Sequence, residues 1–583
     1  MHPLNNELSI AQLLAKPATG LKAWLIKLVD KILGINQLNK LYQQHGFAKL
    51  KGREFLDAFV SLFKLKTSDN FQALPQNQAV IIVANHPLGG VDGVVLLREL
   101  LKYRSDVKVL ANIGLSLFKP LQPFFIFTNP LKAGAKGNIT SLRLCEHHLE
   151  QGGVLVVFPA GRVSYYQKAL QGVSDHVWNR SFVKLAQQYN AAIVPVHVQA
   201  NNRKRFYFLG RIYFRFRLLM LVREMLASSN KQIKLTMAQP IDSQTLPTIP
   251  MQQQTDLIKL ATYLNNPSLA HIWPDTGKVT LQPLAPVADA YAMQQEVSAI
   301  AETQALVSYK SWLVLHADGQ QIPNCLAEIR RLREQTFRDW QEGSGEPQDG
   351  DDFDFSYQHL FIFDQQTSEI IGAYRMGQTD KISPTYLEQM FNFSPEFIGK
   401  QSACLEMGRS FVVSKYQRSY QALLLLFKGI GHFVVKYPKY RTLYGTVSLS
   451  KCYSPLSVYL IERFLVQAVD NTAVPKQRFE HCNIAELDTF LEQMNANGQP
   501  NAANNIEILD WLIQQIEPDN KGLPVLVKQY HQLGAKFVAL AIDGQFAQTP
   551  GLLLKVHLPE TAEKWLKLYL GKQWQSYRDF QNN

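Results

Sequence analysis

Two mixed α/β units joined by a linker form the architecture that this sequence predicts. Three observations carry it. From residue 79 to about residue 240, short apolar runs alternate with amphipathic stretches, the rhythm of strand–helix units on a largely parallel sheet. From residue 326 onward the order changes to a charged helix, two strands joined by a tight turn, an apolar helix and a strand. Between the halves, residues 265–286 are rich in Pro and Asn and read as a linker.

Taken in order, residues 21–35 spell an amphipathic helix. Leu21, Trp24, Leu25, Leu28, Ile32 and Ile35 share a face, and Lys22, Lys27 and Lys31 fall elsewhere. Such a helix either packs on its own domain or lies in a membrane interface. Strands are predicted at 79–84, 107–111, 124–128, 153–158, 192–198 and 233–237. Helices are predicted at 92–103, 138–151 and 178–189, with a closing helix near 251–265. The strand ends of such a sheet share one crevice. The second half supplies a charged helix over 326–340, a hydrophilic loop over 342–352 and strands at 360–363 and 370–375. An apolar helix over 420–436 and a strand at 442–448 follow, and 494–505, rich in Asn and Ala, reads as a loop insertion. The expected segments are an amphipathic, membrane-associating region over 1–75, a first domain over 76–265, a linker over 266–299 and a second domain over 300–583.

With 583 residues the chain can hold about two to four domains with proper cores. At 46% hydrophobic and 19% charged it is globular rather than disordered. A formal charge of +12 points to an acidic partner. No zinc-finger spacing or nucleic-acid motif occurs, so nucleic acid is not the expected partner. Cys145, Cys325, Cys404, Cys452 and Cys482 are scattered and odd in number, which fits a reducing compartment with no disulfide framework and no metal site. The first residues lack a signal peptide's apolar core, and no uninterrupted run of about 18 apolar residues occurs, so no transmembrane helix is expected.

The stretch Ala84-Asn85-His86-Pro87-Leu88-Gly89-Gly90-Val91-Asp92-Gly93 organises the first half. A neutral imidazole at a strand end can take a proton from a hydroxyl near pH 7. A carboxylate six residues on can hold the ring's tautomer and stabilise the imidazolium. The glycines let backbone approach a ligand closely. The bland alternative is an Asp92 N-cap, a turn and a surface histidine.

Asn85-His86 with Asp92 resembles the first block of the glycerolipid acyltransferase superfamily, with five residues between His and Asp where that family has four. The form His-Pro-x-Gly-Gly-x-Asp-Gly is similar to its haemolysin-like and ornithine-lipid branch. Phe158-Pro159-Ala160-Gly161-Arg162 resembles the Phe-Pro-Glu-Gly block, and Val194-Pro195 the Val-Pro block. The resemblance implies His86 as base, Asp92 as its partner, and Asn85, Gly89, Gly90, Phe158, Pro159, Gly161, Arg162 and Pro195 around the substrate. Ala160 stands where the family has Glu in a block that helps hold the acceptor's phosphate, which puts a lysophosphatidate acceptor in doubt. Arg162 could still grip a carboxylate bidentately, or simply pair locally.

Between Arg203 and Arg223 lie seven basic side chains, no acidic one, and interleaved Phe and Tyr. That composition suits an anionic membrane surface or an acidic acyl carrier protein, and a solvated helix face is the plain alternative.

In the second half the element order matches an N-acetyltransferase-like (GNAT) fold. Arg333-x-x-x-Phe337-x-x-Trp340, Asp352-Phe353-Asp354, Gly372-x-Tyr374-Arg375 and Glu406-x-Gly408-Arg409 resemble ornithine N-acyltransferases and, more distantly, acyl-homoserine-lactone synthases. An amine must be neutral to attack a thioester, so Asp354 or Glu406 could act as base. Arg333, Arg375 and Arg409 are placed by the resemblance at the substrate, where arginines can bind an amino acid carboxylate or a phosphopantetheine phosphate. A Glu406–Arg409 salt bridge is the structural alternative. The turn before the apolar helix, Gln417 to Ala422, has no glycine, which weakens coenzyme A as donor and is compatible with acyl carrier protein.

The fold class is therefore a glycerolipid acyltransferase-like α/β domain followed by a GNAT-like α/β domain. As a whole the chain resembles bifunctional bacterial ornithine lipid synthases. This implies N-acylation of ornithine with a 3-hydroxyacyl group from acyl carrier protein, then O-acylation of the lyso-ornithine lipid. No tightly bound cofactor and no metal are expected, and the location implied is peripheral, on the cytoplasmic face of the bacterial inner membrane. Two rivals stand: a lysophospholipid acyltransferase with a non-catalytic C-terminal docking domain, and a non-enzymatic lipid-surface binding protein.

Overall fold

The computed structural model describes residues 24–580 apart from 25–27, 29, 32, 129–135, 213, 270–272, 274–279, 399–402, 467–470, 481–483 and 497–505. The chain divides into two compact units. One is made of residues up to Leu269 together with 483–520, the other of 270–482 with 521–583.

The first unit begins with helices α1 (Ile35–Gln44) and α2 (Arg53–Leu62). Tyr42, Phe55, Phe59 and Val60 enter the main core, so this region is part of the domain rather than an appendage to it. Of the predicted amphipathic helix, Leu21, Lys22, Leu25, Lys27 and Ile32 lie outside the described residues. Trp24 is 58% exposed and Ile35 is buried.

The sheet is built from β1 (Lys66–Ser68), β2 (Val80–Ala84), β3 (Val107–Asn112), β4 (Phe125–Thr128), β5 (Val154–Val157), β8 (Ala192–Gln199), β9 (Gln232–Met237) and β10 (Ile241–Asp242). Its order is β1-β9-β8-β2-β5-β3-β4, with β10 beside β8. Strands β8, β2, β5, β3 and β4 run parallel, and β9 is antiparallel to β8. β2 and β5 are buried throughout, as strands covered on two faces must be. Between them come α3 (Gly90–Leu100), α4 (Lys136–Glu150), the ribbon of β6 (Tyr165–Gln167) and β7 (Gly172–Ser174), α5 (Ser181–Gln188), α6 (Lys204–Ile212) and α7 (Phe214–Leu226), and α8 (Met251–Leu264) follows the last strand. α3 starts at Gly90, two residues before the predicted position. Gly89, at φ +81°, makes the turn that a side chain would resist.

Helix α9 (Ala290–Gln304) of the second unit begins inside the predicted linker and runs past its end. Asp289 caps it, accepting from the N–H groups of Tyr291 and Ala292, and Met293, Val297 and Ile300 pack into this unit's core. Residues 282 and 285 also bond to the main chain at 345 and 347. The predicted linker thus belongs in large part to the second unit. Its sheet comprises β11 (Ala305–Tyr309), β12 (Trp312–Asp318), β13 (Gln358–Asp364), β14 (Glu369–Gln378), β16 (Cys404–Val412), β17 (Thr442–Ser448), β20 (Thr549–His557) and β19 (Lys536–Asp543), in that spatial order. β15 (Phe391–Phe393) and β18 (Ala473–Pro475) form a separate ribbon. All neighbours in the main sheet are antiparallel except β16 and β17. Those two pair in parallel only from Cys404–Met407 against Thr442–Gly445 and then part. Helix α10 (Pro323–Asp339) and the apolar α11 (Tyr420–Lys436) cover the sheet. Gly429 lets α11 come close, since a Cβ there would lie 2.6 Å from Val314.

Candidate functional site

In the first unit, β2 delivers His86 to the rim of the sheet and the Gly89 turn starts α3 beside it. Asp92, at the third position of α3 and fully buried, turns its carboxylate back over the helix N-terminus. Its Oδ2 accepts the N–H groups of Leu88 at 2.8 Å and Gly89 at 3.0 Å and lies 3.1 Å from His86 Nδ1. The helix dipole favours a negative charge there. Burial raises the Asp92 carboxyl above its ordinary value, and His86 with the two backbone donors works against that rise. His86 keeps 18% side-chain exposure, while its Nδ1 is buried. The ring's open edge can therefore meet a hydroxyl while the closed edge faces Asp92. Phe158 lies against the imidazole, ring centroids 4.3 Å apart at 33°.

The other residues expected here divide into two kinds. Asn85 spends its side chain on the main chain of β8, donating to Val198 O at 3.1 Å and accepting Val198 N–H at 2.6 Å. It ties strand ends together. Pro195 sits where the neighbour of β8 changes from β10 to β9, the place in a central strand where a missing N–H costs no ladder bond. Pro159 is buried, and its carbonyl takes Asn179 N–H. Gly161, at φ +61°, turns the loop so that Arg162 stands exposed, without a hydrogen bond or ion pair among the described residues. Gly90 is the first residue of α3, with an N–H that the helix leaves unused.

One residue that sequence reasoning passed over organises the whole loop. Asp175, buried after β7, accepts His86 N–H at 3.3 Å and the Ser164 hydroxyl at 2.5 Å on one oxygen, and Trp178 Nε1–H at 2.9 Å on the other. Ser164 N–H in turn donates to His86 O at 2.9 Å. Asn202 holds the next carbonyl, Pro87 O, at 2.9 Å. No spacing rule links Asp175 or Asn202 to His86, so no local signal could have found them.

A second opening of about 610 Å³ in this unit is lined by Lys31, Lys40, Arg203, Arg205 and Arg223. The buried Glu224 lies 2.8 Å from Arg203 and 3.8 Å from Arg205. Two cations of the basic stretch thus have a structural partner.

In the second unit the predicted residues fall into two neighbourhoods. Asp354 is buried among Arg330 at 2.8 Å, Arg333 at 2.9 Å and Arg375 at 3.0 Å. Arg333 also pairs with Asp349 at 2.7 Å, and Arg375 with Asp351. Burial pushes the Asp354 carboxyl up, but the Arg333 and Arg375 guanidiniums outweigh it and hold it well below the carboxylate range. So weak a base does not suit proton abstraction from an amine. Arg333 and Arg375 are 1% and 2% exposed and committed to these carboxylates.

Glu406 lies where β16 and β17 still pair. It is buried, accepting from the hydroxyls of Tyr357 at 2.9 Å and Tyr444 at 3.1 Å. Burial raises its carboxyl above the usual value against those bonds, the direction a base for an amine requires. Its partners are the two tyrosines and the Leu387 N–H at 3.4 Å, and the Glu406–Arg409 salt bridge is not formed. Arg409 sits at φ +49° in a β-bulge of β16, donates to Tyr386 OH at 3.1 Å and stacks over Phe546. Past Glu406 the parted strands leave a narrow cleft lined by Tyr374, Met407, Gly408, Ser410, Gly445 and Thr446. A further carboxyl, Glu342, is pushed up to about 7 by burial, beside Ser448 and Arg409.

Among the described residues, no three His, Cys, Asp or Glu side chains are placed to hold a metal ion, and no helix is long and apolar enough to cross a membrane.

A histidine–carboxylate pair on an α/β sheet, followed by a mostly antiparallel sheet parted at one parallel pair, defines an acyl-transfer protein with two units. Family comparison agrees. A model described as acyltransferase matches residues 11–271, and one described as GNAT acetyltransferase domain matches residues 332–427. Over 199 residues the chain is 33% identical to the lyso-glycine lipid O-acyltransferase of Phocaeicola vulgatus, covering 33% of this chain and 67% of that protein. Over 151 residues it is 33% identical to the glycine N(alpha)-acyltransferase of Bacteroides thetaiotaomicron, covering 23% of this chain and 45% of that protein. Among solved structures the AHL synthase LasI is similar at 12% identity and a TM-score of 0.24, covering 45% of this chain and 95% of that one, too weak a likeness to build on. The chain belongs to the acyltransferase family, and its second half carries a GNAT domain.

Proposed function

We propose that the chain makes a diacyl aminolipid in two steps. The second unit acylates the α-amine of an amino acid with a 3-hydroxyacyl group, and the first unit then acylates the new hydroxyl. The observation that carries this reading is the presence, in one chain, of the open-edged His86–Asp92 pair and of Glu406 at the parted strands.

In the first step the amine nitrogen attacks the thioester carbonyl, with Glu406 accepting the ammonium proton. The C–N bond forms, the C–S bond breaks, and the thiol leaves with a proton. In the second step His86 takes the hydroxyl proton, the oxygen attacks a second thioester, and His86 returns the proton to the departing sulfur. Asp92 stays ionised and stabilises the imidazolium. Gly89 N–H is spent on Asp92, so the unused Gly90 N–H is the better oxyanion donor. Exposed Arg162 is suited to the head-group carboxylate.

The donor in this reading is acyl carrier protein, an acidic partner to which the cleft of five cations is electrostatically suited. The exposed Trp24 suits a peripheral position on an anionic membrane surface. For the head group, the resemblance of the sequence points to ornithine, while both relatives carry glycine in their names. Feeding labelled ornithine or labelled glycine to a host without aminolipids, then weighing the new lipids, decides between them. Label from ornithine supports the first reading. Label from glycine keeps the mechanism and replaces the head group. A new acyl lipid without either amino acid overturns the two-step reading.

A further inference from the structure

The basic and aromatic stretch after β8 folds as a helical hairpin of the first unit. Arg203, just before α6, pairs with Glu224 in the last turn of α7 at 2.8 Å, and its own N–H donates to the same carboxylate at 3.1 Å. The start of α6 is thereby tied to the end of α7. At about 100° per residue, Lys204, Arg205, Phe208 and Arg211 share one side of α6. All four are exposed, Phe208 by 62%, while Phe206 on the opposite side is fully buried. Arg211 lies over the Tyr166 ring at 3.9 Å, and neither it nor Lys204 has a carboxylate partner among the described residues. Between residues 201 and 231 the one acidic side chain is Glu224, which is buried.

The same hairpin braces the His86 turn. Asn202 holds Pro87 O at 2.9 Å, and Leu221 of α7 lies so near that a Cβ on Gly89 would stand 3.0 Å from it. Arg223, two residues further and exposed, falls on the other side of α7 and lines the basic cleft together with Arg205. The charged exterior and the acyl-transfer site thus share one piece of secondary structure.

We propose that the outer side of α6 is the first unit's docking surface for an anionic lipid bilayer. Phe208 enters the apolar layer beneath the headgroups, and Lys204, Arg205 and Arg211 meet the lipid phosphates. Single exposed apolar side chains are common on protein surfaces. This one stands among three cations, with no exposed carboxylate on its hairpin to oppose them. A bilayer answers both the ring and the charges, whereas an acidic protein would answer the charges alone. Docking by this side would hold His86 near the layer in which a lyso-lipid resides. That consequence rests on the reading of His86 as base. The docking does not.

The test is co-sedimentation of the full chain with vesicles of phosphatidylcholine alone, and with vesicles of phosphatidylcholine and phosphatidylglycerol in equal parts. The parent is expected to partition onto the anionic vesicles, less so as salt is raised. Phe208→Ser should weaken partition about tenfold, and Lys204→Gln with Arg211→Gln about thirtyfold, each with the melting temperature unchanged. Tyr291→Ser, which removes an equally exposed aromatic of the second unit, should leave partition as it is. Equal partition onto neutral and anionic vesicles overturns the proposal. So does partition that Phe208→Ser leaves unchanged or that Tyr291→Ser lowers as much. Binding of acyl carrier protein without binding of either vesicle overturns it too. Docking by a parent that transfers no acyl group would uphold the proposal and sink the functional reading alone.

Discussion

In the first unit one buried carboxylate, Asp92, faces one histidine whose outer edge is open to solvent. In the second unit a carboxylate of similar burial, Asp354, is shared by three arginines, two of them almost wholly enclosed. Both arise from charged motifs that stand out in the sequence. They differ in what is left over once each charge has been paired. At His86 part of the imidazole, 18% of the side chain, stays exposed beyond the edge that faces Asp92. Around Asp354 the three arginines are spent on that carboxylate and, for Arg333 and Arg375, on Asp349 and Asp351 as well, and the cluster holds strand to helix. Buried pairs of that kind cost a great deal when broken from one side. Charged residues in a motif can thus serve either catalysis or architecture, and the opposite charges packed around them separate the two.

Four substitutions break or sharpen that contrast. The largest effect is expected at Asp92→Asn, which keeps shape but loses the charge that stabilises the imidazolium. O-acyl transfer should fall about 10³- to 10⁴-fold, with melting temperature nearly unchanged, in paired rate and unfolding measurements. Asp354→Asn is the mirror case. It leaves Arg330, Arg333 and Arg375 without their shared partner and should destabilise the second unit by about 3–5 kcal/mol in denaturant titration. An intact melt with abolished N-acyl transfer would instead make Asp354 chemical, against this account.

Glu342 gives a smaller effect through pH. Its folded value, about 7, stands above that of an unfolded carboxyl, so the folded chain holds the proton more tightly. This group's contribution is full below about pH 4.3 and is lost as pH rises toward 7. Glu342→Gln removes the titration and should gain roughly 1–3 kcal/mol on the parent between pH 5 and pH 8. The smallest effect is expected at Arg162→Met. KM for the acceptor should rise about tenfold with little change in kcat, since binding is lost and chemistry is not.

Much of this was legible before any coordinates. The buried strands β2 and β5 read as unbroken apolar runs, because parallel strands covered on both faces leave no alternation. The His86–Asp92 pair was legible for a different reason, since six residues span a single turn into α3. What escaped depended on long-range contact. α9 was hidden by the Pro- and Asn-rich stretch before it and by an Ala-rich stripe, although Asp289 is a good cap. The helices 485–496 and 506–516 are amphipathic, but an apolar face does not say which core it covers. Asp175 carries no motif at all. The roles of Asp354 and Glu406 were indistinguishable in sequence, because both are acidic residues in similar blocks. Only the guanidiniums around one and the tyrosines around the other separate them.

In the proposed scheme two reactions, in a fixed order, belong to two separate groups of residues in one chain. The most direct test is lipid mass spectrometry on an aminolipid-free host expressing the parent, His86→Ala or Glu406→Gln. Diacyl aminolipid is expected from the parent, the monoacyl form alone from His86→Ala, and neither from Glu406→Gln. Unchanged diacyl product from His86→Ala, with no monoacyl lipid accumulating, would contradict it.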